Sequence, residues 1–186
     1  MLKRYPIPTQ ERLNSLFHYD ESTGVLFWKE RSLSFFKDEI SQKKWNTRFA
    51  GKPAGSLSEN GYLKITLDQR PYLAHRIVWK IKTGEEPDYI DHCDLDRSNN
   101  RFKNLRIVNQ AQNRLNMDRN KRSISGLKNV SFRPENSINP WCVMVSRDGI
   151  NHYGGSFPTK EKAFAVACVL RNKIHGEFAR HGPEQP

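Results

Sequence analysis

Cysteine pairs at disulfide or metal-ligand spacing are missing from this chain. Its three cysteines, Cys93, Cys142 and Cys168, form no C-x-x-C pair. Neither a disulfide framework nor a four-cysteine zinc site is therefore suggested. Long apolar runs are missing as well: no stretch reaches the ~18 residues of a membrane-span candidate. No signal-peptide pattern opens the sequence, so the expectation is a soluble, intracellular protein. Acidic residues are in short supply, 20 against 31 lysines and arginines, for a formal charge of +11 and a pI near 9.7. Such an excess speaks to partners rather than to fold, and polyanions are the natural partners; a merely soluble basic protein is the alternative. With 186 residues there is room for one ordinary domain or two small ones.

The stretch richest in chemistry is Ile90 to Asn113, IDHCDLDRSNNRFKNLRIVNQAQN. It opens with a carboxylate beside an imidazole, Asp91-His92. Alternation along a strand points these side chains to opposite faces, so a local distortion or a shared metal would be needed to bring them together. A polar loop follows, in which Asp94, Asp96, Asn99 and Asn100 favour turns by bonding to their own backbone. Asn104 to Val108 reads as a second short strand, and from Asn109 the pattern suits a short helix carrying Asn113. A hairpin and a helix of this kind can converge on one cation.

These residues resemble the HNH nucleases, the ββα-metal fold, in particular the homing-type branch common in phages. Asp91, His92, Asn99-Asn100, Asn104-Leu105-Arg106 and Asn113 fall at that branch's spacings. GYLKITL (61–67) and YLAHRIVW (72–79) also resemble the segment that precedes the Asp-His pair there. The resemblance implies metal ligands at Asp91 and Asn113 and a general base at His92. It also implies one metal bridging a phosphate oxygen and the 3′-oxygen, leaving 5′-phosphate and 3′-hydroxyl ends. The chemistry agrees. An imidazole with an ordinary pKa of about 6.5 can take a proton from water near working pH, and hard oxygen ligands suit Mg²⁺ or Mn²⁺ rather than zinc. Asn104 is expected to brace the hairpin and hold His92 in its productive orientation. Some HNH nucleases carry a structural zinc knuckle; the cysteine spacing predicts none here.

Upstream, residues 9–17 read as a short amphipathic helix with Leu13, Leu16 and Phe17 on one side, and Val25 to Trp28 as a strand after a turn at 20–24. Residues 30–60 interleave Phe35, Phe36, Trp45 and Phe49 with lysines and arginines. That mixture can line a nucleic-acid groove or serve as core anchors with solvated neighbours. Residues 61–67 alternate as a strand, 68–71 turn it back, and Ala74 to Ile81 read as a helix ending near Gly84. His75, at that helix's start, either contacts phosphate or bonds nearby backbone; it is counted among the DNA contacts, with Arg114.

Downstream, 117–126 forms a basic linker able to lie along a phosphate backbone. From there three strands are predicted. In the first, Val130 and Phe132 share a face; in the second, Trp141, Val143 and Val145 face one way and Cys142, Met144 and Ser146 the other. Asp148-Gly149 signals the hairpin to the third strand. Thr159 can cap a helix with Ala163, Val166, Ala167, Leu170 and Ile174 at helical spacing, closed by Gly176. NVSFRP, the Trp141 strand, YGGSFPTKEKAFAVA and IHGEFA resemble the ethylene-response-factor-type DNA-binding domain over nearly all of 126–181. In that family the free sheet face enters the major groove. The resemblance carries Lys128, Ser131, Arg133, Met144, Ser146, Asn151 and Tyr153 onto that face, with Arg133 foremost for a base or phosphate contact.

The expected protein is α+β. An N-terminal region, 1–116, contains the nuclease module, with its motif core at 74–116; a linker spans 117–126 and a three-strand, one-helix DNA-binding domain 127–181. The expected activity is a metal-dependent, site-preferring DNA endonuclease acting on double-stranded DNA in the cytoplasm of a bacterium or phage-infected cell. No membrane contact or obligatory protein partner is evident. The alternative is a sequence-specific DNA-binding regulator whose nuclease module is inactive.

Overall fold

The structure, a computed structural model, describes residues 5–110, 112, 124–179 and 181. It is α+β, and by internal contacts the chain divides into two units, Met1–Val108 and Asn109–Pro186. Most of the 117–126 linker lies outside the described residues.

In the first unit, α1 (Gln10–Leu16) is capped by Thr9, whose side chain accepts from the Arg12 N–H. Phe17 does not extend this helix as expected but opens β1 (Phe17–Asp20), which pairs antiparallel with β2 (Val25–Trp28). Leu13, Leu16 and Phe17 are all buried regardless. The segment without a clear sequence pattern holds a 3-10 turn at Leu33–Phe35 and an 11-residue helix, α2 (Glu39–Phe49), no residue of which is buried. A small sheet follows, in the order β3 (Ser56–Leu57), β4 (Leu63–Leu67), β5 (Arg70–Leu73). Its β4–β5 turn places Asp68 and Gln69 at positive φ, the mirror-image turn that matches strand twist. Helix α3 (Ala74–Thr83) ends at Gly84 in the left-handed conformation, as its position predicted. Finally β6 (Ile90–His92) and β7 (Leu105–Ile107) form a two-stranded antiparallel ribbon.

One apolar cluster holds this unit together. Leu13, Leu16, Phe17, Leu26, Ile65, Leu67, Ile77, Val78 and Leu105 all belong to it. Leu105 thus roots the 90–107 ribbon on the same core that α3 packs into. The β1–β2 hairpin grips the ribbon's loop from the other side. The Tyr19 hydroxyl donates to the Asn100 carbonyl at 3.1 Å and accepts from the Phe102 N–H at 2.8 Å. Arg101 Nε donates to the Ser22 carbonyl at 2.6 Å.

The second unit contains the expected sheet, in the order β10 (Ile150–Phe157), β9 (Trp141–Arg147), β8 (Val130–Phe132), with α4 (Lys160–His175) packed on it. Asp148 and Gly149 take positive φ in the hairpin. Thr159 caps α4 through the Lys162 N–H. Val143, Val145, Ala163 and Ala167 are fully buried. At Gly154 an added Cβ would lie 2.7 Å from Val143 Cγ1 and 3.0 Å from Leu170 Cδ2, so glycine permits close approach of helix and sheet. Two positions depart from simple alternation. Cys142 is buried although it lies on the predicted outer face, because β9 is the central strand and is flanked by Ser131 and Ser156. Phe132 is 37% exposed, its ring set against Trp141 rather than in the core.

Two glycines test the docking of the β1–β2 turn on the ribbon's loop. Gly24 has φ +78°, and a Cβ there would lie 2.4 Å from the Arg101 nitrogen; Gly51 has φ +71° with nothing within 4 Å. Gly51→Ala is expected to cost about 1–2 kcal/mol from its left-handed backbone alone. Gly24→Ala should cost a further 1–3 kcal/mol or so from overpacking, read by urea unfolding. Equal losses would contradict the close contact.

Candidate active site

The loop between β6 and β7 is built from side chains bonding to nearby backbone. Asp94 Oδ1 accepts from the Asp96 N–H at 2.9 Å, and Asp96 Oδ1 accepts from the Ser98 N–H at 2.9 Å. Asn104, buried, ties the loop's ends together. Its Oδ1 accepts from the Asp94 N–H at 3.1 Å, while its Nδ2 donates to Asp94 Oδ1 and to the Asn99 carbonyl, both at 2.9 Å. Burial works against the charge on Asp94, but the bonds from Asn104, Asn99 and the Asp96 N–H outweigh it and lower its pKa.

The ribbon's register sorts its side chains by face. Asp91 stands opposite Arg106, and His92 opposite Leu105. Asp91 is buried, and its Oδ2 accepts from Arg106 Nη2 at 3.0 Å and Nε at 3.2 Å. His92 is only 3% exposed. Its Nε2 lies 3.2 Å from Asn100 Oδ1, and the Asn100 amide is oriented by its own Nδ2, which donates to the Ser98 carbonyl at 3.0 Å. With Oδ1 fixed toward the ring, Nε2 must carry the proton and donate, which leaves the basic lone pair on Nδ1. Burial lowers the pKa of His92, only partly offset by the Asn100 bond and by Asp91, so the ring is held neutral.

Two aromatic residues pack around His92. The His75 ring stands edge-on to it, centroids 5.0 Å apart at 85°, and Tyr62 lies 6.0 Å away. Arg97 in turn sits over the Tyr62 ring at 5.0 Å and donates to the Asn60 carbonyl at 2.9 Å. The expectation of a phosphate contact at His75 is corrected by its burial. The side chain is 5% exposed, and desolvation, then His92 and Arg76, push its pKa down to about 3. An enclosed imidazole is out of a phosphate's reach; it walls the His92 pocket instead.

Of the other expected site residues, Asn104 does brace the loop, but the side chain bonded to His92 is that of Asn100. Asn113 and Arg114 lie outside the described residues. Just before them, Asn109 and Gln112 exchange side-chain-to-backbone bonds of 2.8 Å in each direction, a reciprocal cap. In the second unit Ser146 pairs with Asn151 across the strands and donates to its Oδ1, while Tyr153 pairs with Met144. All four therefore share the sheet face turned away from Val143 and Val145, and Arg133 is exposed just beyond β8. Lys128 is half-buried, its carbonyl accepting from the fully buried Arg171 at 2.6 Å. Sequence reasoning placed Asn100 and Arg106 in the motif without giving either a role, and did not single out Tyr62 or Tyr19. The Asn99-Asn100 pair was the available signal for the first. Counting an antiparallel register from the loop would have set Arg106 opposite Asp91.

Among the described residues no cluster of three His, Cys, Asp or Glu side chains could hold a metal ion. A cation at the ribbon could take the Asp91 carboxylate as a hard oxygen donor. Such an oxygen donor suits a hard divalent cation.

Comparison with known proteins meets this geometry. The sequence profile of the HNH endonucleases matches residues 72–115, which takes in α3, the ribbon and its loop. Protein 3.8 of Escherichia phage T7 is 34% identical over 110 residues, 57% of this chain and 87% of that protein. The uncharacterized HNH endonuclease L560 of Acanthamoeba polyphaga mimivirus is 30% identical over 143 residues, 75% of this chain and 71% of that one. No solved structure is significantly similar. The chain belongs to the HNH endonuclease family. Membership supports a nuclease acting on nucleic acid, in a family that generally uses divalent metal ions. No helix among the described residues is long and apolar enough to cross a membrane.

Two measurements probe this pocket. Asn104→Ala removes three loop bonds and should cost about 1–3 kcal/mol in urea unfolding; an unchanged midpoint would contradict its bracing position. His75 titrates near 6.5 when unfolded and about 3 when folded. The unfolded chain then binds more protons across that window, so stability is complete above it and falls as pH drops, by up to about 1.4 kcal/mol per pH unit. His75→Phe should flatten this acid limb, and an identical pH dependence would contradict a buried neutral His75.

Proposed function

We propose that the chain is a metal-dependent endonuclease that hydrolyses phosphodiester bonds in double-stranded DNA with a preference among sites. The observation that carries this reading is the placement of His92: buried, with Nε2 3.2 Å from Asn100 Oδ1, and next to the Asp91 carboxylate on one strand. In this reading His92 Nδ1 takes the proton from the attacking water. The anchoring bond becomes charge-assisted as the ring protonates, so Asn100 stabilises the imidazolium that forms. Asp91 and Asn113 would hold a divalent cation, Mg²⁺ or Mn²⁺, which when bound supplies Lewis acidity at the scissile phosphate. Arg106 fixes the Asp91 carboxylate in its orientation, and Asn104 keeps the loop from opening beneath His92. The products are a 5′-phosphate and a 3′-hydroxyl.

The second unit serves as the reader in the same proposal. It is a three-stranded sheet backed by one helix, with Ser146, Asn151, Tyr153 and Met144 on its open face and Arg133 at its edge. These groups can dock in a groove but include no acid or base suited to cleavage. Phosphate contacts would supply most of the affinity and base contacts the preference.

The test is a plasmid-nicking assay with added Mg²⁺. His92→Ala should lower the cleavage rate by about 10²–10⁴ while nearly preserving DNA affinity, since a general base contributes on that order. Chelation should abolish cleavage by the natural chain. Cleavage by His92→Ala at the natural rate would remove the base from the proposal.

A further inference from the structure

Helix α2 separates its residues by chemistry in a way that hydrophobic patterning hides. Glu39, Ile40, Lys43, Lys44, Thr47 and Arg48 are exposed, whereas Ser41, Gln42, Trp45, Asn46 and Phe49 are half-buried. The inner face is anchored without a buried residue. Gln42 Nε2 and Asn46 Nδ2 donate to the Arg31 carbonyl at 3.0 and 3.1 Å, and the Arg31 N–H donates to Asn46 Oδ1 at 3.0 Å. The Arg31 guanidinium lies 4.0 Å from the Trp45 ring centre and 5.0 Å from that of Trp28, and Trp45 meets Trp28 edge-on at 5.6 Å. Trp28 and Trp45 therefore hold the helix together with Arg31, while Lys43, Lys44 and Arg48 are exposed. Trp28 belongs to β2, the same hairpin whose Tyr19 grips Asn100, so α2 is tied to the catalytic loop through packed elements.

Isolated helices of about this length are marginal in water, and the stability of most protein helices comes from burying an apolar face. This one buries none, so its attachment does little for the core. Its outer stripe presents Lys43, Lys44 and Arg48 along one side of the helix. Among the described residues, none of the three lies within ion-pair distance of a carboxylate. Across 29–52 the bases are Lys29, Arg31, Lys37, Lys43, Lys44, Arg48 and Lys52, the acids only Glu30, Asp38 and Glu39.

We infer that the outer stripe of α2 is a docking surface for the phosphate backbone of duplex DNA, on the same unit as the ribbon that would cut it. The inference rests on the reading of the chain as a nuclease acting on DNA. Spaced one turn apart, Lys43 and Lys44 on one side and Arg48 on the next reach successive phosphates, with Thr47 between them as a hydroxyl donor. Such contacts carry no sequence information; they fix the position of the nuclease unit on the duplex.

The test is equilibrium binding of the full chain to a 30-base-pair duplex of arbitrary sequence (a length on the order of a two-unit footprint), followed across a salt series in chelator. The variant replaces Lys43, Lys44 and Arg48 with alanine, which favours helix. Each neutralised phosphate contributes about 0.9 to the slope of log affinity against log salt, so the slope should fall by about 2–3 and low-salt affinity should drop more than tenfold. Arginine at Lys43 and Lys44 should keep both. Should the triple variant fail to fold by circular dichroism, Lys44→Glu alone reads the same loss. Unchanged slope and affinity, or binding to anionic vesicles in place of duplex, would overturn the inference. Because no cleavage is read, an inactive chain would sink the nuclease proposal while leaving this measurement intact.

Discussion

The hydrogen bond from His92 Nε2 to Asn100 Oδ1 is the contact on which the rest of the site depends. It fixes the tautomer, and with it which ring nitrogen can act as a base. Asn100 can make this bond only because its amide is oriented by the Ser98 carbonyl and its own carbonyl is held by Tyr19. Tyr19 stands there because β1 and β2 pair and because the absent side chain of Gly24 lets their turn rest on the 100–101 backbone. A hydrogen bond within one loop is thus maintained by an element some 80 residues earlier in sequence.

Burial gives that bond its effect. Around His92 the walls are His75 and Tyr62, an uncharged imidazole and an aromatic ring rather than carboxylates. Desolvation then keeps the ring neutral, the form a base requires, while Asp91 points to the other face of the ribbon and is paired by Arg106. Alternation along β6 turns the two side chains apart, and each is oriented by its own partner, Asp91 by Arg106 and His92 by Asn100, so the proposed site requires a bound cation and phosphate to span from one to the other.

Much of this was legible in the chain itself. The Asp-His pair, the Asx-rich loop and Asn104-Leu105-Arg106 sufficed to place a ribbon at 90–107, and Gly84 marked the end of α3. The second sheet and its helix followed from alternation, the Asp148-Gly149 turn and the Thr159 cap. What stayed hidden had physical reasons. Helix α2 puts Gln42, Asn46 and Trp45 inward and Ile40 outward, so no apolar period announces it. His75 reads as a polar helix-start residue, yet its role is set by packing on His92, across a sequence distance that periodicity does not see. Arg171, fully buried within α4, is accommodated by the Lys128 carbonyl and the Cys168 sulfur at 3.2 Å, partners no local pattern reveals. Asn100 was visible in the motif, but its bond to His92 required the folded loop.

The central claim is that the 90–107 ribbon presents a neutral, loop-anchored His92 to a scissile phosphate. A crystal structure of the His92→Ala chain bound to an uncut DNA duplex with Mg²⁺ addresses it most directly. The account predicts a cation on the Asp91 carboxylate, touching a phosphate oxygen, with the space vacated by the imidazole opening toward the same phosphorus and Asn100 still held by Ser98 and Tyr19. DNA lying away from this ribbon, or a cation bound elsewhere with Asp91 still paired with Arg106, would contradict it.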